Sequence, residues 1–94
     1  MTLEEIRSNI NEIDTKIIDL IKERMDYAGE VARIKLQKGS RLIDEKREKE
    51  MVERLISIGK KKGISDGFLK KIFFEIIDES VRIQKNYTLG KHRD

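Results

Sequence analysis

Apolar residues recur at alternating steps of three and four along the first part of the chain: Leu3, Ile6, Ile10, Ile13, Ile17 and Leu20. The same register continues through Arg24, Ala28, Val31 and Lys35. That spacing follows one face of an α-helix. Thr2, with Glu5 three residues on, reads as a capping box, and no strong breaker follows until Gly39. The pattern predicts a first helix over about 3–37. Asp44 is placed to cap a second helix over about 44–62, with Met51, Val52, Leu55 and Ile56 on its buried side and Gly63 as a left-handed stop. Ser65 opens a third helix over about 65–87, whose apolar side holds Phe68, Leu69, Ile72, Phe73, Ile76 and Ile77. Residues 88–94 read as a polar tail. Residues 1–94 are expected to form a single all-α domain of three helices.

The first helix is too long for such a domain. At 1.5 Å per residue it extends on the order of 50 Å, whereas a compact globule of this size has a radius of gyration of about 13 Å. Much of the Leu3-to-Lys35 seam is therefore expected to overhang. A second copy would cover it symmetrically, which predicts an intertwined homodimeric helical bundle.

Composition supports the helical reading and removes several chemistries. Of the 94 residues, 41% are charged and 37% hydrophobic, which suits helices with wide solvated faces. Without cysteine there is no disulfide framework and no thiol nucleophile. The single histidine, His92, falls in the expected tail, so neither a histidine base nor a Ser-His-Asp set is expected. The six glycines form no phosphate loop, and no compact acidic cluster has cation-ligand spacing. No metal and no cofactor are therefore expected. The net charge of +3 is spread through mixed-sign helix faces, and Lys60-Lys61-Lys62 closes a helix, so nucleic acid is not an expected partner. The N-terminus lacks the pattern of a signal peptide, and no apolar stretch approaches the roughly 18 residues of a membrane span. A soluble cytoplasmic protein is the expectation.

What remains is a set of polar groups at core positions. Arg24 and Lys35 interrupt the first seam, while Ser80 and Gln84 continue the line Leu69, Phe73, Ile76. Burying an unpaired cation costs on the order of several kcal/mol, so an anionic partner is implied, and a small doubly charged ligand fits. Arg24 and Lys35, eleven residues apart, lie ~16 Å apart along the axis and differ by only ~20° around it. Arg7 is about 25 Å from Arg24 on the same helix. One small ligand cannot touch both arginines of one chain, but Arg7 of the partner subunit in an antiparallel pair can close the site. Asp44, Arg47 and Glu48 share the entry turn of the second helix. Singly, these residues have plainer readings: Arg7 a surface arginine, Asp44 an N-cap, Arg47 and Glu48 a solvated ion pair, Arg24 and Lys35 snorkelling side chains. Their joint order is what carries information.

That order resembles the small all-helical chorismate mutases of the AroQ type, over residues 3 to 87 without a gap. The matching motifs are Ile6-Arg7 with Ile10, Ile13-Asp14, Glu23-Arg24 through Val31 to Lys35, Asp44 with Arg47-Glu48, Glu53-Arg54-Leu55, and Ser80-Val81 with Gln84. The resemblance implies that Arg24 and the partner's Arg7 grip the substrate's carboxylates. Lys35 would bridge a carboxylate and the breaking ether oxygen, and Gln84 would donate to that oxygen. Asp44 and Glu48 would hold the ring hydroxyl, Ser80 would assist a carboxylate, and Arg47 would organise Glu48. It further implies isomerisation of chorismate to prephenate by a [3,3] rearrangement, in phenylalanine and tyrosine biosynthesis, without a cofactor. The chain departs from many relatives at Arg41, where they have proline, and from its short tail no fused dehydratase or dehydrogenase domain is expected. Two other readings remain open on these residues: elimination of pyruvate from isochorismate on the same scaffold, and a non-catalytic helical dimerisation or interaction module.

Overall fold

Local signals set the helix boundaries in a computed structural model that describes residues 1–41 and 43–88. Three helices appear: α1 (Leu3–Lys38), α2 (Glu45–Lys61) and α3 (Asp66–Thr88), with no strand among the described residues. The fold is all-α. Leu42 and the expected tail residues 89–94, His92 included, lie outside the described residues.

Thr2 caps α1 from an extended conformation. Its Oγ1 accepts from the Glu5 backbone N–H at 3.1 Å and its hydroxyl donates to Glu5 Oε1 at 3.1 Å. Asp44 does the same for α2, accepting from the Arg47 N–H at 3.0 Å, and Ser65 Oγ accepts from Phe68 N–H at 3.4 Å at the start of α3. The first two helices end in the same way. Gly39 and Gly63 adopt φ of 68° and 74°, the left-handed region in which a Cβ is costly. In each case the two residues past the last helical turn donate back into it: Gly39 to Leu36 O and Ser40 to Lys35 O, then Gly63 to Lys60 O and Ile64 to Gly59 O. These are paired Schellman bonds, and they satisfy carbonyls that would otherwise be orphaned.

The helices α1 and α2 each pack on α3; among the described residues their backbones do not approach each other. Small residues permit the close approaches. Ala28 and Ala32 of α1 are buried, Ala32 completely. A Cβ built on Gly59 would collide with Leu69 Cδ1, so α2 and α3 meet where the side chain is absent. Val52 and Ile77 complete the buried apolar set.

This core is thin. No large side chain is fully buried among the described residues, and the radius of gyration is 16.5 Å with extents of 54 × 30 × 16 Å. With 36 residues, α1 spans about 54 Å and sets the long dimension. The N-terminal half of its seam is bare: Leu3, Ile6, Ile10, Ile13, Ile17 and Leu20 are 41–63% exposed. On α3 the expected apolar side is only partly covered. Ile77 is buried and Leu69, Phe73 and Ile76 are half-buried, but Phe68 and Ile72 remain exposed. Among the described residues, no helix is long and apolar enough to cross a membrane.

Candidate active site

Where α1 and α2 lean over α3 without their backbones approaching each other, they leave a cavity of about 550 Å³. Its walls carry Arg24 and Lys35 from α1, Asp44, Arg47 and Glu48 from the start of α2, and Ser80 and Gln84 from α3. Every candidate named from the sequence is therefore gathered in one place except Arg7. That residue is exposed on α1, seventeen positions before Arg24 or about 25 Å along the axis. Tyr27, Ala28, Val31, Met51, Ile77 and Val81 supply the apolar lining.

Helical spacing explains the convergence. Ser80 and Gln84 are one turn apart on α3, as are Asp44 and Glu48 on α2. The Asp44 cap fixes where that second helix begins. One carboxylate oxygen of Asp44 is engaged with the Arg47 N–H, so this side chain builds the helix entry and the cavity wall together.

Arg24 is the best-defined group. It is half-buried, its Nη1 donates to Ser80 Oγ at 2.9 Å, and its Nη2 approaches Met51 Sδ at 3.4 Å. Loss of hydration pushes its pKa down, because the cation gives up water on entering the cavity. It remains a cation at neutral pH, since guanidinium does not deprotonate in proteins. Ser80 is buried, and its hydroxyl gives its proton to the Ile76 carbonyl one turn back, at 2.9 Å. A hydroxyl has one proton, so its lone pairs face Arg24. Met25 Sδ stands 3.6 Å from the same oxygen.

Lys35, Glu48 and Gln84 are half-buried, and Gln84 Oε1 is buried outright. The cavity thus combines fixed cations on one wall, carboxylates at the entry of α2 and a carboxamide on α3. Such a set grips an anion bearing carboxylate and hydroxyl groups. It offers no aligned nucleophile and base. Among the described residues no group of three or more acidic, His or Cys side chains is arranged to hold a metal ion.

One member of the site was not foreseen. Met51 reads in the sequence as part of the apolar side of α2, whereas its sulfur meets the Arg24 guanidinium. A signal was present: Met51 follows Glu48 by three residues and Asp44 by seven, on the same helical face.

Comparison with known proteins identifies the family of the chain. The family model described as chorismate mutase type II matches residues 6–85. A chorismate mutase of Methanocaldococcus jannaschii is 40% identical over 85 residues, covering 90% of this chain and 86% of that protein. Bifunctional chorismate mutase/prephenate dehydratases are also similar. The protein of Buchnera aphidicola subsp. Acyrthosiphon pisum is 38% identical over 79 residues (84% of this chain, 20% of that protein), and that of Escherichia coli is 34% identical over 80 residues (85% and 21%). The chain spans about a fifth of the length of these bifunctional relatives. A match across nearly all of three helices, whose α1, α2 and α3 together wall the cavity, makes this chain a member of the chorismate mutase type II family.

Proposed function

We propose that the chain isomerises chorismate to prephenate in the supply of phenylalanine and tyrosine, as a cytoplasmic homodimer with two equivalent cavities. The observation that carries the reading is the cavity itself, which collects Arg24, Lys35, Asp44, Arg47, Glu48, Ser80 and Gln84 from all three helices. The exposed seam from Leu3 to Leu20 supports the dimer, because so much contiguous apolar surface calls for cover.

The reaction suits this inventory. Within a single substrate molecule the C–O ether bond breaks and a C–C bond forms, with no proton, electron or group leaving the molecule. The site has two tasks. It holds the compact diaxial conformer in which the ends to be joined are in contact, and it stabilises negative charge growing on the ether oxygen. Arg24 and the partner's Arg7 take the two carboxylates, with Ser80 at hand for a carboxylate. Lys35 spans a carboxylate and the ether oxygen, and Gln84 donates to that oxygen from the opposite side. Asp44 and Glu48 accept from the ring hydroxyl, and Arg47 holds Glu48 in place. A preorganised donor to such an oxygen is worth about 3–4 kcal/mol, or roughly 10²–10³ in rate.

The test is a spectrophotometric assay of the purified chain with chorismate and isochorismate side by side, without added metal or nucleotide. Loss of chorismate with formation of prephenate is the expected result. A strong preference for isochorismate would replace the mutase by the pyruvate-eliminating lyase. No turnover of either at micromolar enzyme would leave a non-catalytic helical module.

A further inference from the structure

We propose that Met51 is a positioning residue for Arg24, its thioether fixing the plane of the guanidinium while leaving the positive charge for the ligand. This deepens the chorismate mutase reading and rests on it. The sulfur stands 3.4 Å from Nη2, and Ser80 Oγ stands 2.9 Å from Nη1. A guanidinium is a rigid plane carrying five N–H donors. A single hydrogen bond leaves it free to rotate about that contact. Two contacts from different helices, Ser80 on α3 and Met51 on α2, fix the plane. Three N–H bonds then remain, one more than a bidentate carboxylate requires.

The chemistry of the second contact matters as much as its position. A carboxylate at position 51 would pair with Arg24 and cancel the charge that must attract the substrate. A leucine would fill similar space but offer no lone pair. The thioether is a weak, neutral acceptor on a flexible stem, so it can orient a donor without competing for it. The environment of Arg24 is consistent with that arrangement: its pKa is lowered by desolvation. The contact also joins α1 to α2, whose backbones do not approach each other among the described residues.

The experiment compares the full-length chain with Met51→Leu, Met51→Gln and Met51→Glu, using thermal melting to verify the fold. With chorismate, Met51→Leu is expected to raise KM about 5-fold with kcat within about twofold, the loss expected for one hydrogen bond of ordinary strength, since thioether sulfur is a weak acceptor. Met51→Gln restores a neutral acceptor and returns KM to near the wild-type value. Met51→Glu lowers kcat/KM by about 10²-fold through ion pairing with Arg24. A second readout does not depend on turnover. In ¹⁵N spectra, the Nη signals of Arg24, assigned by their loss in Arg24→Lys, should be resolved in wild type and Met51→Gln and averaged by rotation in Met51→Leu. A folded Met51→Leu chain with wild-type KM and resolved Nη signals overturns the proposal, as does a Met51→Gln chain no better than Met51→Leu on both readouts. If wild type shows the Nη pattern but no turnover, the functional reading fails and the positioning role stands.

Discussion

The two halves of α1 share one helix and one apolar spacing, yet they meet different fates. From Ala28 onward the helix lies on α3: Ala28 is 7% exposed and Ala32 fully buried. Leu3 and Leu20, at the two ends of the other half, are 60% and 63% exposed. Periodicity therefore marks a face that needs cover without naming what covers it. In the C-terminal half the chain covers its own face, and the interruptions at Arg24 and Lys35 become a cavity wall. In the N-terminal half nothing among the described residues covers the face, and Arg7 is the polar residue on that stretch with a task in the proposed site.

The sharpest way to probe the covered half is to remove its charge. Lys35→Ala is expected to lower kcat by at least about 10²-fold, the scale for losing one preorganised donor to the ether oxygen. Its melting temperature should change little, because Lys35 is only half-buried and lines the cavity. Steady-state kinetics beside calorimetry checks both. A large fall in melting temperature would make Lys35 a structural residue instead.

The bare half breaks differently. Ile13→Asp places a charge in the middle of the proposed dimer seam, far from the cavity. Sedimentation equilibrium should report monomers, with activity lost in proportion. A dimer of wild-type affinity would mean that this face is covered by something other than a second copy. The cross-subunit use of Arg7 is tested by mixing Arg7→Ala and Arg24→Ala chains, each inactive alone. After full exchange half of the dimers are mixed, and each carries one intact site and one doubly damaged site. About a quarter of wild-type activity should return. No recovery under verified exchange would put both arginines in the same subunit's site or remove Arg7 from it.

Gln84→Glu should have a smaller, pH-shaped effect. The carboxyl donates to the ether oxygen only when protonated, so activity should rise as pH falls and the optimum should move below neutrality. A pH–rate profile of kcat that matches wild type would take Gln84 away from the reacting oxygen.

The smallest effect is expected outside the cavity. Arg82 donates to both carboxylate oxygens of Glu79 at 2.7 Å and holds the Glu79 pKa below its ordinary value. A lowered carboxylate pKa contributes stability above the unfolded value, and that contribution is lost as pH falls through the folded one. The pair is exposed, and such pairs contribute little. Glu79→Gln should leave turnover and the acid-pH melting temperature unchanged and lower the neutral-pH value only slightly, flattening the acid limb, as read by melting scans from neutral to acid pH.

Much of this architecture is legible in the sequence because its signals are local. Thr2, Asp44, Gly39 and Gly63 act within one turn of themselves, so the chain announces where helices start and stop. Arg24, Lys35, Ser80 and Gln84 stand out because a polar residue at an apolar position is conspicuous whatever the tertiary structure. Other features depend on partners remote in sequence. Met51 fits an apolar stripe equally well as filler or as acceptor, and only the arrival of Arg24 from another helix distinguishes the two. Phe68 and Ile72 have the spacing of buried residues, yet nothing among the described residues buries them. The role of Arg7 depends on a molecule that a single sequence does not describe.

Two methyl groups set the calibre of the cleft. Ala28 and Ala32 let the backbone of α1 settle against α3, and Ala28 also forms part of the cavity lining. A bulkier residue at either position would wedge the helices apart and widen the gap between the α1 wall, with Arg24 and Lys35, and the α3 wall, with Ser80 and Gln84. Tolerance for change at these alanines is therefore governed by how far α1 stands from α3, and even a variant that still folds would carry Arg24 away from Ser80.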